Sequence, residues 1–460
     1  MTRFQVVLPA PLEHEVQAHL FGSGADTEEV ALLFGHPTHS AHTTGVVISR
    51  WLPVPQEALL VQEADRFAMD SAYLVQHVKK ARAQHESLLL AHSHPGDPHL
   101  PWFSHADTLG EANLYPLLQQ RLLGRLHGAL VFAPGGVSAR LITPDGTIQR
   151  AAVRVVGRHV QIYQPGINGH APASDPTHAR QELMWGSHGQ GLLRNMTIAV
   201  VGAGGTGSVV AQQLIHLGVG HLIVVDPQRL EDSNLARVVG ARQEDVGRTN
   251  KVEIVKRTAS HVDPTIEVRA IADDVCRNSV LEEILDADLL FVCTHGHYSR
   301  AVLNALAVQY RLPLVDMGFR IDLNATHDRV ASAVGEVRLV VPGGYCLSCA
   351  GVLNAALIHA EKASPEERAA HPSYFADLDT PDPSVITLNS VIASLAISVG
   401  LDMFVPTMHA TGAQDSYRYN ALKGIITNIG KDKGDTCGIC GSEGLGGLGD
   451  DHPRPGHNNT

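Results

Sequence analysis

The stretch TIAVVGAGGTGSVVAQQLIH, beginning at Thr197, sets the strongest limit on what this chain can fold into. A short apolar, β-branched run leads into closely spaced glycines and then into a segment with helical periodicity. Strand, glycine-rich turn and helix, in that order, bring backbone N–H groups and a helix N-terminus against a phosphate. Gly202, Gly204, Gly205 and Gly207 remove the side chains that would block it. Asp226 closes the next strand, HLIVVD, at the distance of a ribose-binding acid. Apolar strands then alternate with amphipathic helices through DLLFVCT, SRAVLNALAVQY and PLVDMGF, which predicts a doubly wound, mostly parallel sheet. By itself this motif serves NAD as well as ATP.

At 460 residues the chain exceeds one ordinary core, so at least two domains are expected. The first part keeps another rhythm, short strands (FQVVLP, EEVALLFG, TTGVVISRWL, ESLLLAHS, HGALVFA, SARLIT) around helices over DRFAMDSAYLVQHVKKARAQ and SHADTLGEANLYPLLQQRL. That is an α+β order, and the chain as a whole reads as α/β. The expected organisation is a domain over 1–155, a linker over 156–177, a second domain over 178–441 and a disordered glycine-rich tail over 442–460. A formal net charge of −12, with no basic stripe, argues against nucleic acid and anionic membranes as partners. The opening residues lack a signal-peptide layout and no apolar window is long enough to span a bilayer, so a cytoplasmic protein is expected. Four of the six cysteines form two CxxC pairs, Cys346 with Cys349 and Cys437 with Cys440, which in a cytosolic chain suggests a metal.

In AHSHPGDPHLPWFSHAD, the period of two sets His92 and His94 on one face at a strand end, where both can bind one ion. Asp107 offers a carboxylate, and three such ligands leave Zn²⁺ an open position for water. Ser104, three residues ahead of Asp107, equally reads as a helix cap. HSHP followed by S-x-x-D resembles the JAMM motif of the MPN/JAB metalloproteases, which hydrolyse peptide or isopeptide bonds beside the C-terminus of ubiquitin-like proteins. The resemblance implies that His92, His94 and Asp107 hold a catalytic zinc, that Glu28, seven residues before Gly35, is the general base, and that Ser104 binds the oxyanion. Glu29 is the neighbouring register for the base. The nine residues between His94 and Ser104 exceed the usual family spacing, which places a loop insertion in GDPHLP.

DPQRLEDSNLAR, then NKVE, resembles the ThiF-type adenylyltransferases related to ubiquitin-activating enzymes, and HARQELMWGSHGQ resembles the start of that fold. The likeness, which disfavours an NAD dehydrogenase, implies use of ATP with Mg²⁺ to adenylate the C-terminal carboxylate of a ubiquitin-like or sulphur-carrier protein. It places Gly204 under the phosphates, Asp226 at the ribose, Arg237 and Lys251 at the triphosphate, and Arg180 as the arginine inserted across a homodimer. It also implies a structural zinc held by Cys346, Cys349, Cys437 and Cys440.

Two departures stand out. His295 occupies the place of the family's Mg²⁺-binding aspartate, and imidazole suits that hard cation poorly. Residues 355–400 contain no cysteine for a thioester, and Cys276 and Cys293 do not match that position.

The expected function is therefore a bacterial bifunctional enzyme of a ubiquitin-like pathway. One domain would trim or deconjugate a modifier with a flexible tail, the other would activate it, and a conjugating enzyme is a further partner. The alternatives are sulphur-carrier activation for cofactor biosynthesis, and a deconjugating protease whose ThiF-like half only binds the modifier.

Overall fold

The computed structural model describes residues 2–22, 26–96, 102–164, 176–326, 328–363, 366–367, 383–405 and 416–457. The chain divides into two compact units. The first comprises residues 1–170, 309–311 and 445–453, and the second 171–308, 312–444 and 454–460.

The first unit runs β1 (Arg3–Pro9), α1 (Ala10–Gly22), β2 (Val30–His39), β3 (Thr43–Pro53), β4 (Leu59–Gln62), β5 (Phe67–Met69), α2 (Ser71–Ala83) and β6 (Ser87–Ser93). It continues through α3 (His105–Arg121), β7 (His127–Ala133), β8 (Gly136–Ile142), β9 (Ile148–Val156) and β10 (Val160–Tyr163). Its main sheet has the order β1-β3-β2-β6-β7-β8-β9-β10, and β1 also pairs with β9, so seven strands close on themselves. Alternation along the strands sorts two cores. Ala31, Leu33, Leu89 and Ala91 join Leu12, Val16 and Leu20 of α1. Leu32, Phe34, Leu88 and Leu90 face Val78 and Ala81 of α2 and Leu118 of α3.

Three local expectations change. Helix α1 was not anticipated; its apolar face is only Leu12, Val16 and Leu20, one residue per turn amid histidine and glutamate. The helix expected over 65–84 starts at Ser71, because Asp70 caps it by accepting from Ala72 N at 3.0 Å, while Phe67–Met69 pair as a strand with β4. The tail expected to be disordered is ordered through His457. Asp451 accepts from Arg125 Nη1 and Nη2 at 2.7 and 2.9 Å and pairs with His36 Nδ1 at 2.7 Å, and Asp450 pairs with His39 Nδ1 at 2.8 Å. Glycine content signalled freedom, but the two aspartates bind the segment to β2. Of the expected linker, residues 160–163 form β10, whereas 165–175 lie outside the described residues, as does most of the GDPHLP insertion.

The second unit runs α4 (Ala179–Asn195), β11 (Thr197–Val201), α5 (Gly205–His216), β12 (His221–Val225), α6 (Lys251–Val262), β13 (Glu267–Ile271), α7 (Asn278–Ile284) and β14 (Leu289–Val292). It ends with α8 (His297–Tyr310), β15 (Leu314–Leu323), β16 (Val330–Val340), α9 (Ala355–Lys362), α10 (Ile386–Asp402), β17 (Ser416–Asn420) and β18 (Ile425–Asn428). The sheet order is β13-β12-β11-β14-β15-β16-β17-β18, parallel through β15 and antiparallel beyond it. Every residue of β11 and β14 is buried, as a strand covered on both faces demands. The order reverses between β11 and β14, and the crevice at such a reversal is where open α/β sheets take ligands. Among the described residues no helix is long and apolar enough to cross a membrane.

Candidate functional site

The cavity of the second unit opens at that reversal. It encloses about 580 Å³ and is lined by Gly202, Gly204, Asp226, Arg237, Lys251 and His295, with Asp274 at its far side. The glycines differ in what they do. Gly202 takes φ +93°, and a Cβ there would stand 2.9 Å from Cys293 O. A Cβ on Gly207 would lie 1.6 Å from Gly202 O, so α5 packs onto the turn only without one. Gly205 sits beneath Arg237 Cδ, 3.0 Å from its own missing Cβ. At Gly204, the N-cap of α5, a Cβ would meet nothing within 4 Å. This one glycine faces open space at a helix N-terminus, so the turn has the shape of an anion cradle.

Asp226 is buried at the end of β12, with Oδ2 accepting from Ala203 N at 2.8 Å and Oδ1 from Gln228 N at 2.8 Å. It therefore fixes the glycine turn, and each oxygen retains a lone pair for ribose hydroxyls. Lys251 is the first residue of α6; its Nζ donates to Gln228 Oε1 at 2.6 Å. Arg237 Nη1 donates to Ser233 O at 2.8 Å. Arg180 lines a different cleft of about 490 Å³, with Met184, Trp185 and Leu401, so one chain does not bring it to the glycine turn. His295 is exposed on the cavity wall next to Gly296. The carboxylates that line the cavity are Asp226, Glu231 and Asp274. Gln228, Asn234 and Asp274 were not singled out from the sequence, and only the buried Asn234 of the DSN turn carried a local signal.

The segment from Pro227 to Asn250, which carries Arg237, is anchored by a small core of Leu230, Val238 and Ile254 and by Asp245. The Asp245 carboxylate is buried and receives Arg257 Nη1 and Nη2 at 2.8 and 2.7 Å, Thr249 Oγ1 at 3.0 Å and Arg242 N at 2.9 Å. The Arg257 guanidinium holds this carboxyl well below the ordinary range. A carboxyl depressed in the folded state stabilises fully above its unfolded value of 3.8 and loses that contribution as pH falls below it. Asp245→Asn is expected to cost about 3 kcal/mol at pH 7. Denaturant titrations from pH 7 downward should show the gap to the parent protein constant above pH ~4 and narrowing below it.

In the first unit, β2 and β6 are antiparallel neighbours with Val30 opposite His92, which brings Glu28 beside the histidines. His92 Nε2 lies 3.1 Å from Asp107 Oδ1, His94 Nε2 lies 3.3 Å from Glu28 Oε1 and 3.6 Å from Asp107 Oδ2. Ligands about 2.1 Å from a tetrahedral zinc stand about 3.4 Å apart, so these spacings fit one ion. The compact set whose ligand atoms lie within 4.8 Å of one another is Glu28, His92 and His94, so the structure groups Glu28 with the histidines where the sequence pointed to Asp107. Glu28 is wholly buried, and neither of its oxygens accepts a hydrogen bond among the described residues. Burial pushes its carboxyl up to about 8, with His94 opposing and Asp107 adding to the rise. Burial likewise lowers the His92 imidazole. Burial acts to raise the Asp107 carboxyl, but the imidazoles of His92 and His94 beside it and the Ser104 N–H keep it well below the ordinary range.

Ser104 caps α3 in a reciprocal box with Asp107. Its Oγ accepts from Asp107 N at 3.0 Å while its own N donates to Asp107 Oδ2 at 2.6 Å. The hydroxyl proton is not used by that box. A cavity of about 470 Å³ adjoins, lined by Phe67, His92, Asp107 and Leu114.

Cys346, Cys349, Cys437 and Cys440 converge with Sγ atoms within 4.8 Å of one another. Cys346 to Cys437 is 3.8 Å and Cys349 to Cys440 is 3.5 Å. These are too long for a disulfide and near the ~3.8 Å edge of a tetrahedron with 2.3 Å zinc–sulfur bonds. Burial acts to raise the Cys437 thiol, but the N–H groups of Cys440 and Ile439 and the neighbouring thiols bring it down to about 6. Cys276 and Cys293 lie apart from this cluster, buried, with thiols raised by desolvation.

A family model described as the ThiF family matches residues 178–434. The SAMP-activating enzyme E1 of Haloferax volcanii is 32% identical over 164 residues, 36% of this chain and 56% of its own. Protein HesA, vegetative, of Trichormus variabilis is 33% identical over 132 residues, 29% of this chain and 49% of its own. The sulfur carrier protein adenylyltransferase of Thermus thermophilus is 35% identical over 130 residues, 28% of this chain and 48% of its own. The chain spans about half the length of the curated relatives it matches.

Proposed function

The chain belongs to the ThiF family, and from that premise we propose that its second unit adenylates the C-terminal carboxylate of a ubiquitin-like or sulphur-carrier protein. The observation that carries this reading is the glycine turn open at Gly204, flanked in one cavity by Arg237 and Lys251. ATP supplies the electrophilic α-phosphorus. A carboxylate oxygen of the modifier bonds to it, the bond to the β-phosphate bridge breaks, and pyrophosphate leaves. Charge gathers on phosphate oxygens in that step, and two cations at the cavity wall stabilise it. Asp226 holds the ribose and the turn together. The similarity to the SAMP-activating enzyme E1 and to the sulfur carrier protein adenylyltransferase supports this reading. ATP–pyrophosphate exchange with a purified modifier ending in a flexible tail tests the reading. Exchange that requires the modifier supports it; ATP binding with no exchange favours the binding-module alternative, which His295 keeps in play.

For the first unit we propose zinc-dependent peptidase activity beside the tail of the same class of protein. It is supported by His94, which stands 3.3 Å from the buried Glu28 carboxylate and 3.6 Å from Asp107, with His92 3.1 Å from Asp107. His92, His94 and Asp107 would hold a zinc ion, whose chemistry when bound would be Lewis acidity towards water and the scissile carbonyl. Glu28 accepts the proton of the attacking water and delivers it to the leaving amine. Ser104 donates a hydrogen bond from its hydroxyl to the oxyanion.

The four cysteines form a structural zinc site on this reading. Cys349→Ser is expected to remove one zinc per chain, measured by elemental analysis, and to lower the melting temperature by about 10 °C. An unchanged zinc content would exclude the site.

A further inference from the structure

The nucleotide cavity ends, on the β13 side, at an acid that the glycine turn does not use. The phosphate cradle lies at the end of β11 and Asp226 at the end of β12, and β13 is the next strand outward. A nucleotide laid from cradle to Asp226 therefore carries its base on towards β13, where Asp274 and Val275 line the cavity. The backbone of this turn is largely engaged. Asp274 N donates to Asp273 Oδ1 at 2.7 Å, and Arg277 N donates to Asp274 O at 3.1 Å. Cys276 N donates to Asp274 Oδ1 at 2.9 Å and Cys276 O accepts from His457 N at 2.8 Å. Asp274 Oδ2 stands 3.6 Å from His457 Nε2, and the side chain is 52% exposed.

We propose that Asp274 selects the base: its Oδ2 accepts the exocyclic amino N–H of adenine and disfavours any purine that presents a carbonyl there, while His457 is a positioning residue that orients it. A carboxylate is only an acceptor, adenine carries a donor at C6, and guanine and hypoxanthine carry an acceptor at that edge. Acceptor against acceptor makes no hydrogen bond across that edge, so a carbonyl purine forgoes the charged-acceptor bond that adenine makes. Oδ1 is tied to Cys276 N, which leaves Oδ2, beside His457, as the oxygen for the base. The C-terminal residues of the chain thus take part in reading the base through His457. The inference rests on the adenylyltransferase reading only for the choice of a triphosphate ligand.

The test is direct binding of ATP and ITP to the full chain by titration calorimetry, without modifier. ITP keeps the ribose and triphosphate and exchanges the amino group for a carbonyl. The wild type should favour ATP by tenfold or more, roughly the worth of one hydrogen bond to a charged group. Asp274→Asn keeps an oxygen for Cys276 N and adds a donor, so its preference should fall to within about threefold. His457→Ala should give an intermediate ratio. An Asp274→Asn protein with the wild-type ratio overturns the inference and leaves the adenylation proposal standing. A wild type that binds neither nucleotide overturns both. Selective ATP binding lost in Asp274→Asn, in a protein that shows no exchange with modifier, supports the inference and overturns only the adenylation step.

Discussion

Glu28→Gln is expected to lower the rate of the proposed peptidase about a thousandfold while leaving zinc content and melting temperature close to those of the parent protein. The size follows from its surroundings. The carboxyl is fully buried, stands 3.3 Å from His94 and accepts no hydrogen bond among the described residues, so its oxygens are left for the proton of the attacking water. Glutamine keeps the volume and loses the basic carboxylate oxygen that takes up and returns the proton. Cleavage of a modifier bearing a C-terminal extension, together with elemental analysis, checks it. Full activity in the variant would remove Glu28 from proton transfer, and loss of zinc would make it a ligand, as the compact Glu28–His92–His94 grouping allows.

Lys251→Ala is expected to reduce modifier-dependent ATP–pyrophosphate exchange by a factor of about a hundred to a thousand. A lysine at the first position of a helix is misplaced on electrostatic grounds, since that end carries partial positive charge. It is also buried, with its ammonium held by the side-chain oxygen of Gln228. A buried cation at a helix start is poor for stability and well suited to an anionic ligand. The variant should therefore melt no lower than wild type while exchange falls. Arg237→Ala, whose side chain is less buried, should lose less. Equal exchange in wild type and Lys251→Ala would place the triphosphate elsewhere.

Much of this was legible in the sequence, for physical reasons that differ by site. The glycine turn is written in local conformational demands: Gly202 needs its positive φ and Gly207 its missing Cβ, so residue type and geometry correspond one to one. His92 and His94 follow from strand alternation. Glu28 is less direct, since its place beside them depends on the pairing of β2 with β6, which a local pattern does not encode. Asp274 left no trace, because an exposed acid in a turn looks like any other. The β4–β5 pair hid inside a helical pattern, as Phe67, Met69 and the following segment share a spacing that suits either structure. The tail misled through composition, where two aspartates with specific partners outweigh many glycines.

The cysteine cluster has one more consequence. Because Cys346 and Cys349 face Cys437 and Cys440, a metal there ties the chain into a ring through the excursion from Gly351 to Gly434. A protease cut within that excursion would leave two fragments that still travel as a single particle on a sizing column. Adding a strong chelator would part them only as far as the rest of the packing lets go, so the interval between cutting and separation measures what the clasp contributes beyond the sheet itself.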